Sequence, residues 1–380
     1  MELFVFNPEH DYALADGNRH YVPPRSAVRF SYDCAPFLLY SSPEGLVHNL
    51  YFEEKGELCD NRALDCNVAE ISKVIPWGWD SAVRKHLLDS GVPEHIMPSE
   101  REVAKIRDLS HRKTAVKAQE FLKKESRYTQ LFPEPAKMLS SPDQVVGFVE
   151  GRGHTLLKSP YSGNGRGHLY AHGKCTPTLL RQASGVIARQ GSILAENHLR
   201  VVQDFAMEFN VSSESVDFVG FSLFRTRGYA YECNTLASDA HIIDILRKYV
   251  GMDVLDEVRE LVACFIRTEI APFYQGNVGV DMFVYEDGGY RLQPFSEANV
   301  RRTMGAAAHS IFKNHCNASS QGTFRILRSS KSGELKALVD KEKSLKPLVM
   351  NGGKWSSGFV LLNPVEETTM YAACVELSQL

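Results

Sequence analysis

The chain has 380 residues, of which 43% are hydrophobic and 23% are charged. This composition is typical of a folded, soluble protein and excludes global disorder, and the length allows two or three domains with a sizeable core. The formal net charge is −3 and the sequence pI is about 6.5, with no long block of Lys or Arg, so we do not expect a nucleic-acid-binding protein.

The N-terminal stretch "MELFVFNPEHDYALADG" lacks the pattern of a signal peptide. Glu2 stands where such a peptide carries positive charge, and the apolar run ends by Asn7. No stretch of the sequence approaches the ~20 apolar residues that cross a bilayer. We therefore expect a cytoplasmic protein without membrane contact. Its eight cysteines include no C-x-x-C pair, so we expect reduced thiols rather than zinc ligands or disulfides.

Residues 1–105 predict a small α/β domain. A first strand at "LFVF" leads into polar "NPEHD", and "KVIPWGW" precedes the helical stretch "DSAVRKHLLDSG". Glu9, His10 and Asp11 directly follow the first strand, where α/β sheets commonly bind ligands, so they are candidates for substrate binding. Asn-Pro-Glu is an equally good turn and cap sequence, so a purely structural role stays open.

The remainder of the chain alternates between helical and strand patterns. Residues 100–125 have helical spacing and strong helix formers. Further patterns, in chain order, are strands at "HTLLKSP" and "HLYAHG", a helix at "TPTLLRQASGVIARQG", strands at "SILAENHL" and "DFAMEFNVSS", a hairpin from "VDFVGFSLF" to "GYAYEC", a helix near 253–271, a hairpin starting at "VGVDMFV", and a strand-like tail at "GGKWSSGFVLLNP".

The loop "SGNGRG" at 162–167 connects two of these strands. It is not a P-loop, because His168 and Leu169 stand where Lys and Ser or Thr would follow, and the dinucleotide fingerprint fails because its last glycine would fall at His168. Both motifs also require a helix after the loop, where a strand is predicted here. A flap whose amides close over phosphates, with Lys158 adding positive charge, accounts for the loop's length. The alternative is a plain hairpin turn.

Carboxylates in the last hairpin could hold the Mg²⁺ that accompanies a polyphosphate. Asp281 lies in its first strand, and "SEANVRR" after the return strand places Glu297, Asn299 and Arg301 at alternate positions, on one side of an extended segment. A perfect register about "EDGG" would put Asp281 roughly opposite Pro294 and turn Glu297 to the other face. We therefore expect a bulge near Pro294 or Gly289, and under a different shift Gln293 would take the place of the ligand.

The preceding hairpin is a weaker copy of this arrangement. Asp217 lies in its first strand, and Glu232 and Asn234 lie in its second, but no arginine follows at the next alternate position. The sequence leaves open which of the two hairpins binds the metal.

The order of these residues resembles the ATP-grasp enzymes, the superfamily of biotin carboxylase, D-alanine:D-alanine ligase and glutathione synthetase. The residues that carry the resemblance span about 105–305 and are, in order, Lys113 in "SHRKTAVKA", Lys158 before "SGNGRG", Glu196 in "ILAENHL", Glu208 in "MEFNV", Asp281, and "EANVR". The fold class that follows is α/β (α+β), an ATP-grasp fold preceded by an N-terminal α/β domain.

The resemblance implies a role for each of these positions. Lys113 and Lys158 would contact ATP phosphates, and Lys158 and Arg301 would act in catalysis, with Arg301 steadying an acyl-phosphate. The flap over the phosphates would consist of Ser162, Gly163, Asn164, Gly165, Arg166 and Gly167. Glu196 to Leu199 would form the hinge that reads adenine, Glu208 would bind ribose, and the metal ligands would be Asp281, Glu297 and Asn299.

The domains implied are 1–105 as the N-terminal domain, 106–195 as the small subdomain with the flap, 196–315 as the large subdomain with the metal site, and 316–380 as an extension packed on it. The reaction implied is ligation of a carboxylate to an amine or thiol, on a small molecule or peptide, with ATP and Mg²⁺ (or Mn²⁺). A small-molecule kinase and a non-catalytic ATP-binding sensor or scaffold are the alternatives. The oligomeric state stays open, a dimer included.

Overall fold

The structure is a computed structural model, and it describes residues 1–42, 45–64, 66–162, 167–228 and 230–379. The strands in these ranges are β1 (Glu2–Val5), β2 (Leu46–His48), β3 (Tyr51–Glu54), β4 (Glu57–Asp60), β5 (Lys73–Pro76), β6 (Lys137–Leu139), β7 (His154–Lys158), β8 (Leu169–His172), β9 (Ile193–Asn197), β10 (Arg200–Val211), β11 (Val216–Arg227), β12 (Ala230–Leu236), β13 (Gly276–Glu286), β14 (Tyr290–Asn299), β15 (Ser320–Arg328), β16 (Val349–Asn351), β17 (Lys354–Leu361) and β18 (Tyr371–Gln379).

The helices in the same ranges are α1 (His10–Asp16), α2 (Arg25–Cys34), α3 (Leu38–Ser41), α4 (Ser81–Asp89), α5 (Glu100–Ser110), α6 (Lys113–Glu125), α7 (Pro142–Val149), α8 (Pro177–Gln190), α9 (Asp239–Leu246), α10 (Met252–Glu269), α11 (Met304–His315) and α12 (Glu334–Leu345). The helical stretch expected at 100–125 is therefore two helices, which meet at His111 and Arg112.

The N-terminal region contains a parallel sheet in the order β2-β1-β5. Its central strand β1 is fully apolar from Leu3 to Val5 and buried throughout those residues, as expected for a parallel strand covered on both faces. The carboxyl ends of β1 and β5 are adjacent, because Val5 pairs with Pro76. The polar segments that follow the two strands therefore meet at one edge of the sheet.

The strands on either side of the glycine-rich loop belong to a four-stranded antiparallel sheet in the order β6-β9-β7-β8, which we call the flap sheet. Leu157 pairs with Leu169 at its loop end. Helices α7 and α8 pack on this sheet around Val145, Ala183 and Ile193. The hairpin predicted around the loop is confirmed.

The large sheet has nine strands in the order β14-β13-β10-β11-β12-β15-β18-β17-β16, and all neighbouring pairs are antiparallel. The strands after residue 316 continue this sheet through β15, β18, β17 and β16 instead of only packing on it. Two residues, His198 and Leu199, connect β9 of the flap sheet to β10 of the large sheet. That link places the two sheets on either side of a cleft.

Local sequence signals account for several element boundaries. Ser99 and Glu102 form a capping box at the start of α5, and Asp80 accepts from the backbone amides of Ala82 and Val83 at the start of α4. Gly191 ends α8 in the left-handed conformation, with φ at 81°. In the described part of the chain, no helix is both long and apolar enough to span a membrane.

Candidate functional site

A cleft of about 500 Å³ lies between the flap sheet and the large sheet. The residues that line it are Arg112, Leu156, Lys158, His168, Glu196, Asn197, His198, Leu199, Val201, Val202, Gln203, Asp204, Phe224, Arg225, Thr226, Glu232, Asp281, Met282, Phe283, Ser296 and Glu297. The volume is in the range of small-molecule and cofactor sites. The lining combines apolar side chains with buried charges of both signs.

Lys158 is a buried cation in the lining of this cleft. It ends β7, its side chain is only 7% exposed, and its Nζ lies 2.6 Å from Oε1 of Glu196 on the neighbouring strand β9. Nζ is also 3.5 Å from the Ser296 hydroxyl, across the cleft. A buried ammonium with one carboxylate partner can exchange that partner for phosphate oxygens.

Arg112 lines the cleft, whereas Lys113 lies outside it. The Arg112 guanidinium is buried, donates to the Ser159 carbonyl at 3.0 Å and lies 2.9 Å from Oε2 of Glu297. Lys113 is half-exposed and pairs with Asp108 on the preceding helix. The expected assignment of Lys113 to the phosphates therefore passes, as a proposal, to Arg112.

The flap loop is described only at its two ends. Ser162 lies 3.3 Å from a nitrogen of Arg112, and Gly163, Asn164, Gly165 and Arg166 fall outside the described residues. Gly167 has φ at 82°, and a Cβ there would come within 2.8 Å of the Ser159 hydroxyl. Both observations require glycine at this end of the loop.

His168 follows the loop and lines the cleft beside Lys158. Burial, together with the positive charges of Lys158 and Arg112, lowers the pKa of His168 to about 3. The imidazole is therefore neutral at physiological pH.

The last hairpin contains the expected bulge. Asp281 pairs directly with Glu297, whereas Phe283 pairs with Gln293, so Met282 alone stands opposite residues 294–296. This irregularity includes Pro294, which cannot donate to the strand ladder. Beyond the irregularity Asp281 pairs with Glu297 and Gly279 pairs with Asn299, so the side chains of Asp281, Glu297 and Asn299 lie on one face of the sheet.

The Asp281 carboxyl lies in a site that favours a bound cation. Burial and the neighbouring charge of Glu297 raise the pKa of Asp281 to about 7, against a hydrogen bond from Asn299 that lowers it. No group of three or more His, Cys, Asp or Glu residues arranged for a metal is found within the described ranges. Two carboxylates and an amide oxygen nevertheless suit Mg²⁺, which completes its shell with water and phosphate oxygens.

The preceding hairpin does not assemble a comparable set. Asn234 pairs with Phe224, seven residues along β11 from Asp217, so the two ends are far apart in the sheet. Asp217 accepts from the Ser215 hydroxyl at 2.7 Å, and the buried Asn234 donates to Ser222. Glu232 alone of the three lines the cleft, where it pairs with arginines of β11.

Arg301 joins the last hairpin to the N-terminal region. Its Nε and Nη2 each lie 3.1 Å from one oxygen of Asp11, a two-pronged ion pair across 290 positions of sequence. Burial favours the neutral form of Asp11, but the charge of Arg301 outweighs it and lowers the pKa of Asp11. The next residue, Arg302, donates its backbone N–H to the Trp77 carbonyl at 2.9 Å.

Comparison with solved structures places this architecture among known folds. N5-carboxyaminoimidazole synthetase from Staphylococcus aureus, complexed with ADP, has a TM-score of 0.51 at 11% identity over 99% of this chain and 93% of that one. The biotin carboxylase-β,γ-ATP complex from Campylobacter jejuni has a TM-score of 0.50 at 11% identity over 82% and 72%. A scan against models of protein families finds no match, and a search of curated proteins finds none either.

This chain has the ATP-grasp fold. The synthetase aligns over nearly the whole chain, and the fold class expected from the sequence is confirmed. In the ATP-grasp fold of this chain, Glu196 and Leu199 line the cleft at the connection between the two sheets, where the adenine hinge was expected.

Glu208 lies outside the lining of the cleft. It is 2% exposed on β10 and accepts from the Thr303 hydroxyl at 2.9 Å, below the start of α11. Asp204, four residues earlier on the same face of β10, lines the cleft and accepts from the Thr226 hydroxyl at 3.0 Å. The ribose role expected for Glu208 therefore passes, as a proposal, to Asp204.

Two of the three positions that sequence reasoning missed, Arg112 and Asp204, carried signals of their own. Arg112 precedes the buried Ala115, Ala118 and Leu122 of α6 at helical spacing, which places it on the inward face, whereas Lys113 falls outside that face. Asp204 lies four residues before Glu208 on β10, an even spacing that puts both side chains on the same face of the strand. His168 carried no distinguishing signal.

Proposed function

We propose that this protein is an ATP- and Mg²⁺-dependent ligase, which joins a carboxylate to an amine through an acyl-phosphate. The observation that carries the proposal is the cleft itself. Buried cations on the flap side, Lys158 and Arg112, face the paired carboxylates Asp281 and Glu297, and Arg301 lies at the end of the same hairpin. That distribution of charge suits a polyphosphate with its cation.

In this proposal each side chain of the cleft has a role that follows from its position. Lys158 and Arg112 bind the phosphates, the flap closes over them and excludes water, and Asp204 accepts from the ribose hydroxyls. Asp281 and Glu297 would hold Mg²⁺, with Asn299 contributing its amide oxygen, and Mn²⁺ is the alternative cation. When bound, the cation would neutralise part of the negative charge on the phosphates. Arg301 orients the substrate carboxylate through its planar fork.

The chemical reason for an ATP-dependent step is that a carboxylate is a poor electrophile. Transfer of the γ-phosphoryl group to it creates a leaving group, and an amine can then attack the acyl carbon. Water would hydrolyse the acyl-phosphate, so closure of the site during both steps is part of the chemistry.

Calorimetric titration with a non-hydrolysable ATP analogue, with and without Mg²⁺, tests the nucleotide site. We expect micromolar, Mg²⁺-dependent binding in the wild type and at least about tenfold weaker binding in Lys158→Ala and Arg112→Ala, since each removes a charged contact to phosphate. Lys113→Ala is the matched control, because that lysine lies outside the cleft, and it should bind as the wild type does. Absence of binding in the wild type would overturn the proposal.

A screen for turnover then separates ligation from the other ATP-dependent reactions. ADP release that depends on both a carboxylic acid and an amine, with an amide product, supports the ligase. A phosphorylated hydroxyl product would indicate a kinase, and tight binding without turnover would indicate a sensor.

A further inference from the structure

The region beyond β1 and β5 contains a fixed carboxylate, Asp80. Oδ1 of Asp80 accepts from the backbone amides of Ala82 and Val83, both at 2.9 Å. Oδ2 accepts from Nδ2 of Asn7 at 3.1 Å, and Asn7 also donates to the Gly78 carbonyl at 2.8 Å. The three contacts to Asp80 hold its side chain in one orientation, and the bond to Gly78 fixes Asn7.

His10 is the next residue held by this carboxylate. It is 1% exposed at the start of α1, and its Nδ1 lies 3.1 Å from Oδ2 of Asp80. A carboxylate only accepts hydrogen bonds, so Nδ1 carries a proton in this pair, and in the neutral ring Nε2 is then the acceptor. The ring packs against Gly78, where a Cβ would come within 2.6 Å of Nε2.

Nε2 of His10 is buried and has no hydrogen-bond partner within residues 1–42, 45–64, 66–162, 167–228 and 230–379. A buried acceptor left unsatisfied costs on the order of 1–3 kcal/mol, and such groups tend to occur where a ligand supplies the partner. His10 is one of the residues that line a small recess beside α1.

The recess connects the N-terminal region to the candidate ligase site. It is lined by His10, Asp11, Tyr161, Ser162, Glu297 and Arg301, among others, and its volume is about 10 Å³. That space suffices for roughly one water-sized probe. The ion pair of Asp11 with Arg301 crosses it, so a substrate must replace this pair in order to enter.

If a substrate carboxylate replaces Asp11 at Arg301, the site can hold both an acid and an amine substrate. A substrate carboxylate matches the fork of Arg301 as the Asp11 carboxylate does, so it competes for the same two nitrogens. Asp11 is then left without its cation, beside His10, and its remaining negative charge favours a substrate that carries a positive one.

Building on the proposed ligase function, we infer that this recess takes the attacking substrate as a primary ammonium group and that His10 is its proton acceptor. Asp11 holds the ammonium, and Nε2 of His10 removes one proton to produce the nucleophilic amine. The carbon–nitrogen bond then forms as the bond from the acyl carbon to the phosphate oxygen breaks, and phosphate leaves with that electron pair. The second N–H proton goes to the departing phosphate, and His10 returns its proton to solvent.

The test compares a nucleophile that must lose a proton with one that is already uncharged. Wild-type protein is given ATP, Mg²⁺ and each of a panel of carboxylic acids (acetate, glycine, L-alanine, L-glutamate), with either methylamine or hydroxylamine. Methylamine is protonated near neutral pH, whereas hydroxylamine is not. Amide and hydroxamate products are quantified separately.

His10→Asn retains a donor toward Asp80 and removes the basic nitrogen Nε2, and His20→Asn at an exposed histidine is the matched control. We expect His10→Asn to lose about 100-fold or more in amide formation and less than about tenfold in hydroxamate formation. Binding of the ATP analogue reports that the variant is folded.

The outcomes separate the inference from the function on which it rests. Equal losses in amide and hydroxamate, or no loss in either, would overturn the role of His10 while the ligase stands. No product of either kind from the wild type with any acid of the panel would overturn the ligase, and the inference with it. His20→Asn should match the wild type in both assays, and a selective loss of amide there would also contradict the inference.

Discussion

Glu208 illustrates how a single residue can be important without touching the cleft. Its carboxyl accepts from Thr303, and Thr303 in turn caps α11 by accepting from the Ala306 amide at 2.9 Å. A Cβ at Gly305 would come within 2.1 Å of a Glu208 oxygen, so the chain passes directly over this side chain. Glu208 therefore fixes the segment that carries Arg301, two residues before Thr303.

Burial raises the pKa of Glu208 to about 8 from its usual 4.5, and the charge of Asp281 adds to the shift. The folded state thus binds this proton more tightly than the unfolded state does. The contribution to stability is fully present below about pH 4.5 and is lost as the pH rises through about 8.

We predict that the melting temperature of the wild type falls between about pH 5 and about pH 9 relative to that of Glu208→Gln, whose side chain has no proton to lose. The difference corresponds to a few kcal/mol at most. Thermal unfolding of both proteins across this range measures it. Parallel curves would show that the pKa of Glu208 is not raised in the folded protein.

Among the elements, the hairpin of β13 and β14 carries the residues of the proposed metal site. The bulge opposite Met282 brings Glu297 level with Asp281. A hairpin that continued the register of Phe283 with Gln293 would place Glu297 opposite Gly279 instead, two residues further along β13. The sequence indicated that a bulge was needed and that Pro294 could mark it. It did not indicate which register follows, because register also depends on the pairing of β13 with β10 on its other side.

We predict that Glu297→Gln abolishes most of the Mg²⁺ dependence of nucleotide binding. The ratio of affinities with and without Mg²⁺ should fall at least about tenfold, because one anionic ligand is lost. Glu232→Gln is the control, since Glu232 lines the same cleft but pairs with arginines away from Asp281. An equal fall in the ratio for Glu232→Gln would move the metal to the other hairpin. Titration calorimetry at two Mg²⁺ concentrations is sufficient.

At the scale of the whole molecule, hydrogen bonds and apolar packing connect the N-terminal region to the last strands of the chain. Asp33 of α2 accepts from the backbone amides of Met370 and Tyr371, at 2.8 and 3.0 Å, while Arg29 lies 2.9 Å from its other oxygen. Phe6, Phe37 and Phe324 belong to one core cluster formed by both parts. The terminal strands are thus part of the support for the recess beside β1.

We predict that Asp33→Ala lowers the stability of the protein by about 1–3 kcal/mol, because it leaves two part-buried amides without their acceptor and removes one of the two carboxylates that pair with Arg29. Asp244→Ala, at a 70% exposed side chain of α9, is the control and should change the melting temperature little. Differential scanning fluorimetry of the two variants compares them directly. Similar melting temperatures for both variants would show that this connection contributes little.

The sequence by itself determined the elements and the order of the chemical groups. Periodicity of apolar residues identified the first strand, the flap hairpin, the helix after it and the last hairpin, because these patterns depend on neighbours within a few residues. The spacing of Lys158, Asp281, Glu297 and Asn299 likewise indicated a nucleotide and metal site before any fold was considered.

Only the tertiary structure decided which groups meet. Arg112 replaces Lys113 in the cleft because of the turn between two helices, and Asp204 lies in the lining while Glu208 lies beneath α11. The pairing of Asp11 with Arg301 spans 290 positions of sequence. Contacts of this kind depend on how sheets and helices pack against each other. The pattern of residues within a short stretch of sequence does not specify that packing.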